Sequence, residues 1–139
     1  MPVDSMFGTT INALAKAVDL RARNHTKISA NLANAETPNY TPTALSFEKE
    51  LGTALKGNTM GSPATTHPRH IPLKGQAASI QGVEGTVIET PAPTPGRDNN
   101  GVELEAEMSR MAENQIMYNA SIQILTKKFE GMKYAIKGQ

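Results

Sequence analysis

The last third of the chain carries apolar residues at a regular spacing, and this pattern constrains the fold more than any other feature. Successive members are alternately four and three residues apart over ten positions, and nine of the ten are apolar. An average period of 3.5 residues over this length is typical of a coiled-coil helix, which needs a partner helix. The ten positions, called here the C-terminal stripe, are Leu104, Met108, Met111, Gln115, Tyr118, Ile122, Leu125, Phe129, Met132 and Ile136.

Both ends of this segment carry residues that favour a helix. Asn100 and Glu103 have the spacing of a capping box, in which two side chains bond the first backbone N–H groups of a helix. Glutamates follow at 105 and 107 and lysines gather near the other end, as the helix dipole favours. The sequence therefore predicts one long helix over residues 102 to 139.

The N-terminal region offers a matching partner for the C-terminal stripe. Two series of residues spaced seven apart run through it, and His25 and Arg21 are the charged or titratable members that interrupt an otherwise apolar pattern. Polar residues at such positions lower stability but fix the register of a coiled coil. We predict a helix over residues 1 to 35 that pairs antiparallel with the C-terminal helix through its large apolar members: Ile11, Leu14, Val18, Ile28 and Leu32.

The region between these helices has a different composition. Residues 36 to 57 are predicted to form a turn and a short amphipathic helix, which we expect from Ala44 to Lys56. Residues 58 to 101 are rich in glycine and proline, which predicts an extended, irregular segment. Its fragments "HIPLKG" and "EGTVIET" have strand-like composition, so a small β-hairpin is the most that we expect there. The predicted fold class is mainly α.

Charge and composition exclude several classes of function. The 14 basic residues against 13 acidic ones give a net charge of +1, which is too little for a nucleic-acid partner. The absence of cysteine removes disulfides and thiolate chemistry. No apolar run is long enough to span a bilayer, and the N-terminus lacks the features of a cleaved signal peptide.

The sequence names no catalytic or metal-binding residues. His67 and His70 are the nearest approach to a metal site, but Pro68 disrupts a helical arrangement and no third ligand is near. No nucleophile elbow, phosphate-binding glycine loop or metalloprotease helix motif occurs. We therefore predict that the protein is not an enzyme and has no cofactor, metal or small-molecule substrate.

The segment "ISANLANAETPNYT", residues 28 to 41, resembles the N-terminal signature of the bacterial flagellar axial proteins, which are the rod, hook and hook-associated subunits. The positions that carry this resemblance are Asn31, Leu32, Ala33, Asn34, Thr37, Pro38 and Tyr40. Asn39 stands where that family usually has glycine, and Thr41 stands where it usually has a basic residue. Asparagine tolerates a positive φ better than other residues with a side chain, so we expect the same turn.

Short chain length and the segments "HIP" and "NNGVELEAEM" narrow the resemblance to the proximal end of the rod. It implies a structural subunit that the flagellar type III apparatus exports without a cleaved signal peptide. Such a subunit polymerises into the axial drive shaft of the basal body, in the periplasm. The implied partners are other copies of the chain, neighbouring rod proteins, the rod-base adaptor FliE, the membrane ring and the export gate.

The signature and the two stripes together give a predicted subunit interface. From the signature it takes Asn31, Asn34, Thr37, Pro38 and Tyr40. From the two helices it takes all the apolar stripe members: Ile11, Leu14, Val18, Ile28, Leu32, Leu104, Met108, Met111, Tyr118, Ile122, Leu125, Phe129, Met132 and Ile136. A soluble helical adaptor or chaperone that binds amphipathic helices is the alternative, because the same stripes would serve it.

Overall fold

A computed structural model describes residues 4–59, 80–95 and 97–137 of the chain. In chain order, the elements are helix α1 (Asp4–Ala33), strand β1 (Thr43–Ser46), helix α2 (Glu48–Thr59), a short 3-10 helix (Ile80–Gly82), strand β2 (Thr86–Glu89) and helix α3 (Leu104–Lys137). The prediction of a mainly helical protein with two long terminal helices is confirmed. The segment "HIPLKG" lies outside the described residues.

The two long helices lie side by side and run in opposite directions. Near the end of α1, the Asn31 side chain bonds Glu107, which is close to the start of α3. Further back on α1, the Arg21 carbonyl accepts a hydrogen bond from Asn114, which is further along α3. Contacts that move down one helix as they move up the other define an antiparallel pair.

The side of α3 that faces α1 differs from the centre of the predicted stripe. Two polar residues, Glu107 and Asn114, are the buried residues of α3. Four members of the C-terminal stripe lie beside them and are half-buried: Met111, Tyr118, Leu125 and Met132. The other six members are exposed on the single chain: Leu104, Met108, Gln115, Ile122, Phe129 and Ile136. Apart from Leu104 at the start of the helix, the half-buried and the exposed members form two neighbouring rows, so α1 covers one edge of the stripe and leaves the other edge open.

A small hydrophobic core fills the angle between α1, α2 and the 3-10 helix. Partly buried leucines at 45, 51 and 55 pack around it. Arg21 lies with its guanidinium carbon 5.5 Å from the centre of the Phe47 ring, which adds a cation–π contact at the edge of this core. The buried members are Ala13, Leu20, Phe47, Ala54, Ile80 and Val83.

Strands β1 and β2 form a two-stranded antiparallel sheet in which Ala44 pairs with Ile88. The expectation that the short helix starts at Ala44 is wrong, because residues 43 to 46 are extended and α2 begins at Glu48. The backbone N–H groups of Thr43 and Leu45 bond side chains of α1, and these contacts hold the segment as a strand. β2 lies within "EGTVIET" as predicted, but its partner β1 precedes α2.

Three stretches of backbone meet beside this sheet and close the end of α1. The Tyr40 carbonyl accepts a hydrogen bond from Gly101 N at 2.9 Å, and the Gly101 carbonyl accepts one from Ala92 N at 2.8 Å. A Cβ atom on Gly101 would lie 3.1 Å from Pro42 Cδ and 3.3 Å from Pro91 Cβ. The close approach of two prolines therefore favours glycine at this position.

We predict that Gly101→Ala destabilises the chain by about 1 to 3 kcal/mol, because the added methyl forces the two packed prolines apart. Gly52→Ala is the matched control, since α2 has open space at Gly52 and alanine favours a helix by up to about 1 kcal/mol. Urea unfolding followed by circular dichroism measures both. Equal midpoints for the two variants would contradict the packing argument.

Candidate functional site

The side chain of Asn31, which is 0% exposed at the end of α1, makes four hydrogen bonds. Its Nδ2 donates to the Thr43 carbonyl and to Glu107 Oε2, both at 2.9 Å. Its Oδ1 accepts from Thr43 N at 3.0 Å and from the Tyr40 hydroxyl at 3.3 Å. Both amide hydrogens and the oxygen are used, so one side chain joins α1, the turn, β1 and α3.

Glu107 of α3 completes this arrangement and is only 2% exposed. Its Oε2 accepts from Asn31, and its Oε1 forms a close ion pair with Arg110 Nη1, one turn further along the helix. Arg110 also lies 3.4 Å from the Thr90 hydroxyl, just after β2. A carboxylate is costly to bury alone, and here each oxygen has a donor, one of them cationic.

A second buried asparagine, Asn100, closes the C-terminal end of α1. Its Nδ2 lies 2.8 to 3.0 Å from three carbonyl oxygens, those of Asn34, Ala35 and Thr37. These carbonyls belong to the turn that follows α1, where no helix or strand supplies their partners, and this amide donates to them. The expected capping box of Asn100 with Glu103 is wrong, because Asn100 Oδ1 accepts from Val102 N at 2.7 Å and α3 begins only at Leu104.

The turn after α1 contains the expected left-handed residue. Asn39 has a φ of 59° and Asn99, which lies against it, has a φ of 58°. Asn39 N donates to the Asp98 carbonyl at 3.1 Å, and Asn99 Nδ2 donates to Asn39 Oδ1 at 3.2 Å. The prediction that asparagine adopts the turn conformation at this position is confirmed.

The other signature residues have local roles in the single chain. Asn34 Nδ2 donates to the Ala30 carbonyl at 2.8 Å, and its Oδ1 accepts from the Thr37 hydroxyl at 3.2 Å. Pro38 is exposed in the turn, and Tyr40 reaches back to Asn31. All the hydrogen bonds of the Asn31 side chain are made inside the chain, so this amide is not free for a neighbouring subunit. The predicted interface role of the signature stays a prediction.

Sequence reasoning missed the polar side chains that hold the helices and the sheet together. Asn24 Oδ1 accepts a hydrogen bond from Leu45 N at 3.0 Å, and Asn114 Nδ2 donates to the Arg21 carbonyl at 3.0 Å. A signal was present: Asn24 and Asn31 are seven residues apart, as are Glu107 and Asn114. A polar series at heptad spacing beside an apolar stripe marks a helix face with a specific partner.

Helix α3 leaves a large apolar surface uncovered. Phe129 is 50% exposed and Ile136 is 85% exposed, at two positions of the C-terminal stripe. Further exposed apolar side chains lie on other sides of the helix: Ile116, Met117, Ile124 and Tyr134. Such a helix is typical of the interior of a larger assembly, because a helix that is apolar on several sides is normally buried.

The described helices include none that is long and apolar enough to cross a membrane. Residues 4–59, 80–95 and 97–137 likewise contain no group of three acidic or histidine side chains placed to hold a metal ion. The site consists of fixed hydrogen bonds and an exposed apolar helix, and this arrangement suits contact with other proteins.

We predict that Asn31→Asp destabilises the chain by about 3 kcal/mol or more, since it removes both amide donors and sets a second carboxylate against Glu107. Adding Glu107→Gln should recover at least about 1 kcal/mol, because the glutamine amide donates to the new carboxylate. Asn34→Asp, whose side chain bonds only locally, should cost less than about 1 kcal/mol. Denaturant midpoints of the wild type, these three variants and Glu107→Gln alone measure this coupling. Additive effects of the two changes would contradict it.

No family model matches the chain. It is 34% identical over 133 residues to the flagellar basal body rod protein FlgB of Cereibacter sphaeroides, an alignment that covers 96% of this chain and 98% of that protein. It is 30% identical over 127 residues to FlgB of Salmonella typhimurium, with 88% of this chain and 89% of that protein covered. These names describe structural proteins rather than enzymes, in agreement with the prediction from sequence. The chain belongs to the FlgB family of flagellar basal body rod proteins.

Proposed function

We propose that this protein is a structural subunit of the proximal rod, which the flagellar type III system exports and which polymerises into the axial drive shaft. The observation that carries the proposal is the set of exposed residues of the C-terminal stripe, which stay uncovered when α1 and α3 pack together. A mostly apolar row of this length marks a surface for contact with another protein, because covering it removes apolar area from water. In a polymer, the helices of neighbouring copies cover it.

The helix pair is proposed to act as an antiparallel coiled coil in the assembled rod. Its half-buried residues, such as Tyr118 and Leu125, already lie along α1. Gly131 leaves open space on α3, with no atom within 4 Å of the position that a Cβ would occupy. A neighbouring helix can approach closely at such a position, so the end of α3 is suited to contact between subunits.

The proposed partners follow from the family and from this surface. They are further copies of the chain, neighbouring rod proteins, the rod-base adaptor FliE, the membrane ring and the export gate. The proposed location is the periplasmic rod of the basal body, reached from the cytoplasm without a cleaved signal peptide. In this state, the signature residues Asn34, Thr37 and Pro38 would lie at the exposed turn, where a neighbour can contact them.

We predict that Phe129→Asp abolishes swimming and removes the chain from purified basal bodies, whereas export continues. The side chain is half exposed on the single chain, so the charge affects the contact with a neighbour more than the fold. Gln123→Asp is the control, because this exposed polar residue lies on another side of α3. This substitution should leave swimming near normal. Normal swimming of the Phe129→Asp variant would contradict the role of the stripe.

We expect the purified wild-type chain to form open, concentration-dependent oligomers in sedimentation velocity, because a head-to-tail contact that does not close continues to add copies. The helical adaptor or chaperone alternative predicts a closed oligomer of fixed size that does not grow with concentration. A fixed dimer or tetramer, together with basal bodies that lack the chain, would favour the alternative.

A further inference from the structure

The two edges of the β1–β2 sheet differ in their hydrogen bonding. On the β1 edge, the N–H groups of Thr43 and Leu45 and the Thr43 carbonyl bond the side chains of Asn31 and Asn24. Helix α1 therefore closes this edge with two asparagines. Exposed backbone groups on a sheet edge otherwise attract another strand.

The register identifies the groups on the other edge. Thr90 N donates to the Pro42 carbonyl at 2.9 Å, and Thr43 and Leu45 turn their N–H groups toward α1. Hydrogen-bonded and non-hydrogen-bonded pairs alternate along an antiparallel ladder. The pairs of Val87 with Leu45 and of Glu89 with Thr43 are therefore the non-hydrogen-bonded ones. The N–H and C=O groups of Val87 and Glu89 point away from β1.

None of the described residues covers this outer edge of β2. Within the described parts of the chain, the backbone groups of Val87 and Glu89 make no hydrogen bond beyond the sheet. All four side chains of β2 are exposed, with Val87 at 51% and Ile88 at 43% on opposite faces. The strand carries none of the lysines or prolines that usually protect an edge. A sheet of two strands is also marginal without a third strand or a covering layer.

The charges carried by β2 and its flanking residues are all acidic, and Arg110, which reaches the Thr90 hydroxyl, is already paired with Glu107. Glu84 precedes the strand and Glu89 ends it, both are exposed, and neither forms an ion pair with a described residue. No lysine or arginine lies between residues 83 and 90. An incoming strand that carries a basic side chain would meet a complementary charge at each end of β2.

We propose that the outer edge of β2 takes up an extended segment of a neighbouring rod protein, which carries lysine or arginine and adds a third strand. Backbone bonds to Val87 and Glu89 supply the affinity, and contacts to the glutamates select a basic segment. This inference rests on the proposed function, because it requires neighbours in a rod. It assigns them a second contact, separate from the apolar row on α3.

Residue-resolved hydrogen exchange on the isolated chain and on purified basal bodies tests the proposal. We expect the Val87 and Glu89 amides to exchange freely in the isolated chain and at least about tenfold more slowly in basal bodies. Protection already present in the isolated chain would overturn the proposal, since the chain would then cover its own edge. Free exchange in basal bodies that contain the chain would also overturn it. Basal bodies without the chain would instead refute the proposed function.

Two pairs of variants separate the backbone bonds from the charge. Val87→Pro removes an outward N–H without breaking the ladder to β1, so we expect several-fold less chain in basal bodies, whereas Val87→Thr should incorporate normally. Glu89→Lys should lower incorporation more than Glu89→Gln, because it places like charges together. Helical content by circular dichroism checks that all four variants fold. Normal incorporation of Val87→Pro would overturn strand addition, and normal incorporation of Glu89→Lys would overturn the basic partner.

Discussion

The structure depends on one buried amide group. The Asn31 side chain makes four hydrogen bonds to three different parts of the fold. Two go to the extended backbone of β1, one to the turn residue Tyr40 and one to the buried carboxylate of Glu107. A hydrogen bond contributes little net stability, but an unsatisfied buried polar group costs about 1 to 3 kcal/mol. The network therefore selects one arrangement of helix, turn and strand, because any shift in register would leave several buried groups unpaired.

This hydrogen-bond network fixes the packing of a protein whose apolar core is small. Most of the buried hydrophobic side chains lie between α1, α2 and the 3-10 helix, whereas the contact between α1 and α3 is centred on polar residues. If the two helices buried all of their apolar residues against each other, none would remain for neighbouring subunits. The polar contact sets the direction and register of the pair, and it leaves an apolar row of α3 at the surface.

The elements that depend on local pattern were predictable from the sequence. The heptad spacing indicated α3 to within a few residues, and the chemistry of asparagine indicated a positive φ at Asn39. Strand β1 was not predictable in this way, because Thr43 to Ser46 have no extended pattern of their own and are held by Asn24 and Asn31 from α1. The role of Asn100 was misread for a related reason. Its spacing to Glu103 suits a capping box, but its Oδ1 accepts from Val102 N and its Nδ2 donates to carbonyls of the turn after α1, which only the tertiary structure brings near.

The abrupt polar end of α1 has a physical explanation in these contacts. After Ala33 the chain must leave the helix axis, return as a strand along α1 and place its backbone within reach of Asn31 and Asn24. Asn100 satisfies the carbonyls that this exit exposes, and Glu107 fixes the start of α3 beside it. The same amide bonds both the strand and α3, and Arg110 of α3 reaches Thr90 just after β2, so these contacts set the orientation of the sheet relative to α3. A contact with a neighbour on the sheet would therefore favour the same helix orientation as a contact on α3, since both surfaces are positioned by Asn31.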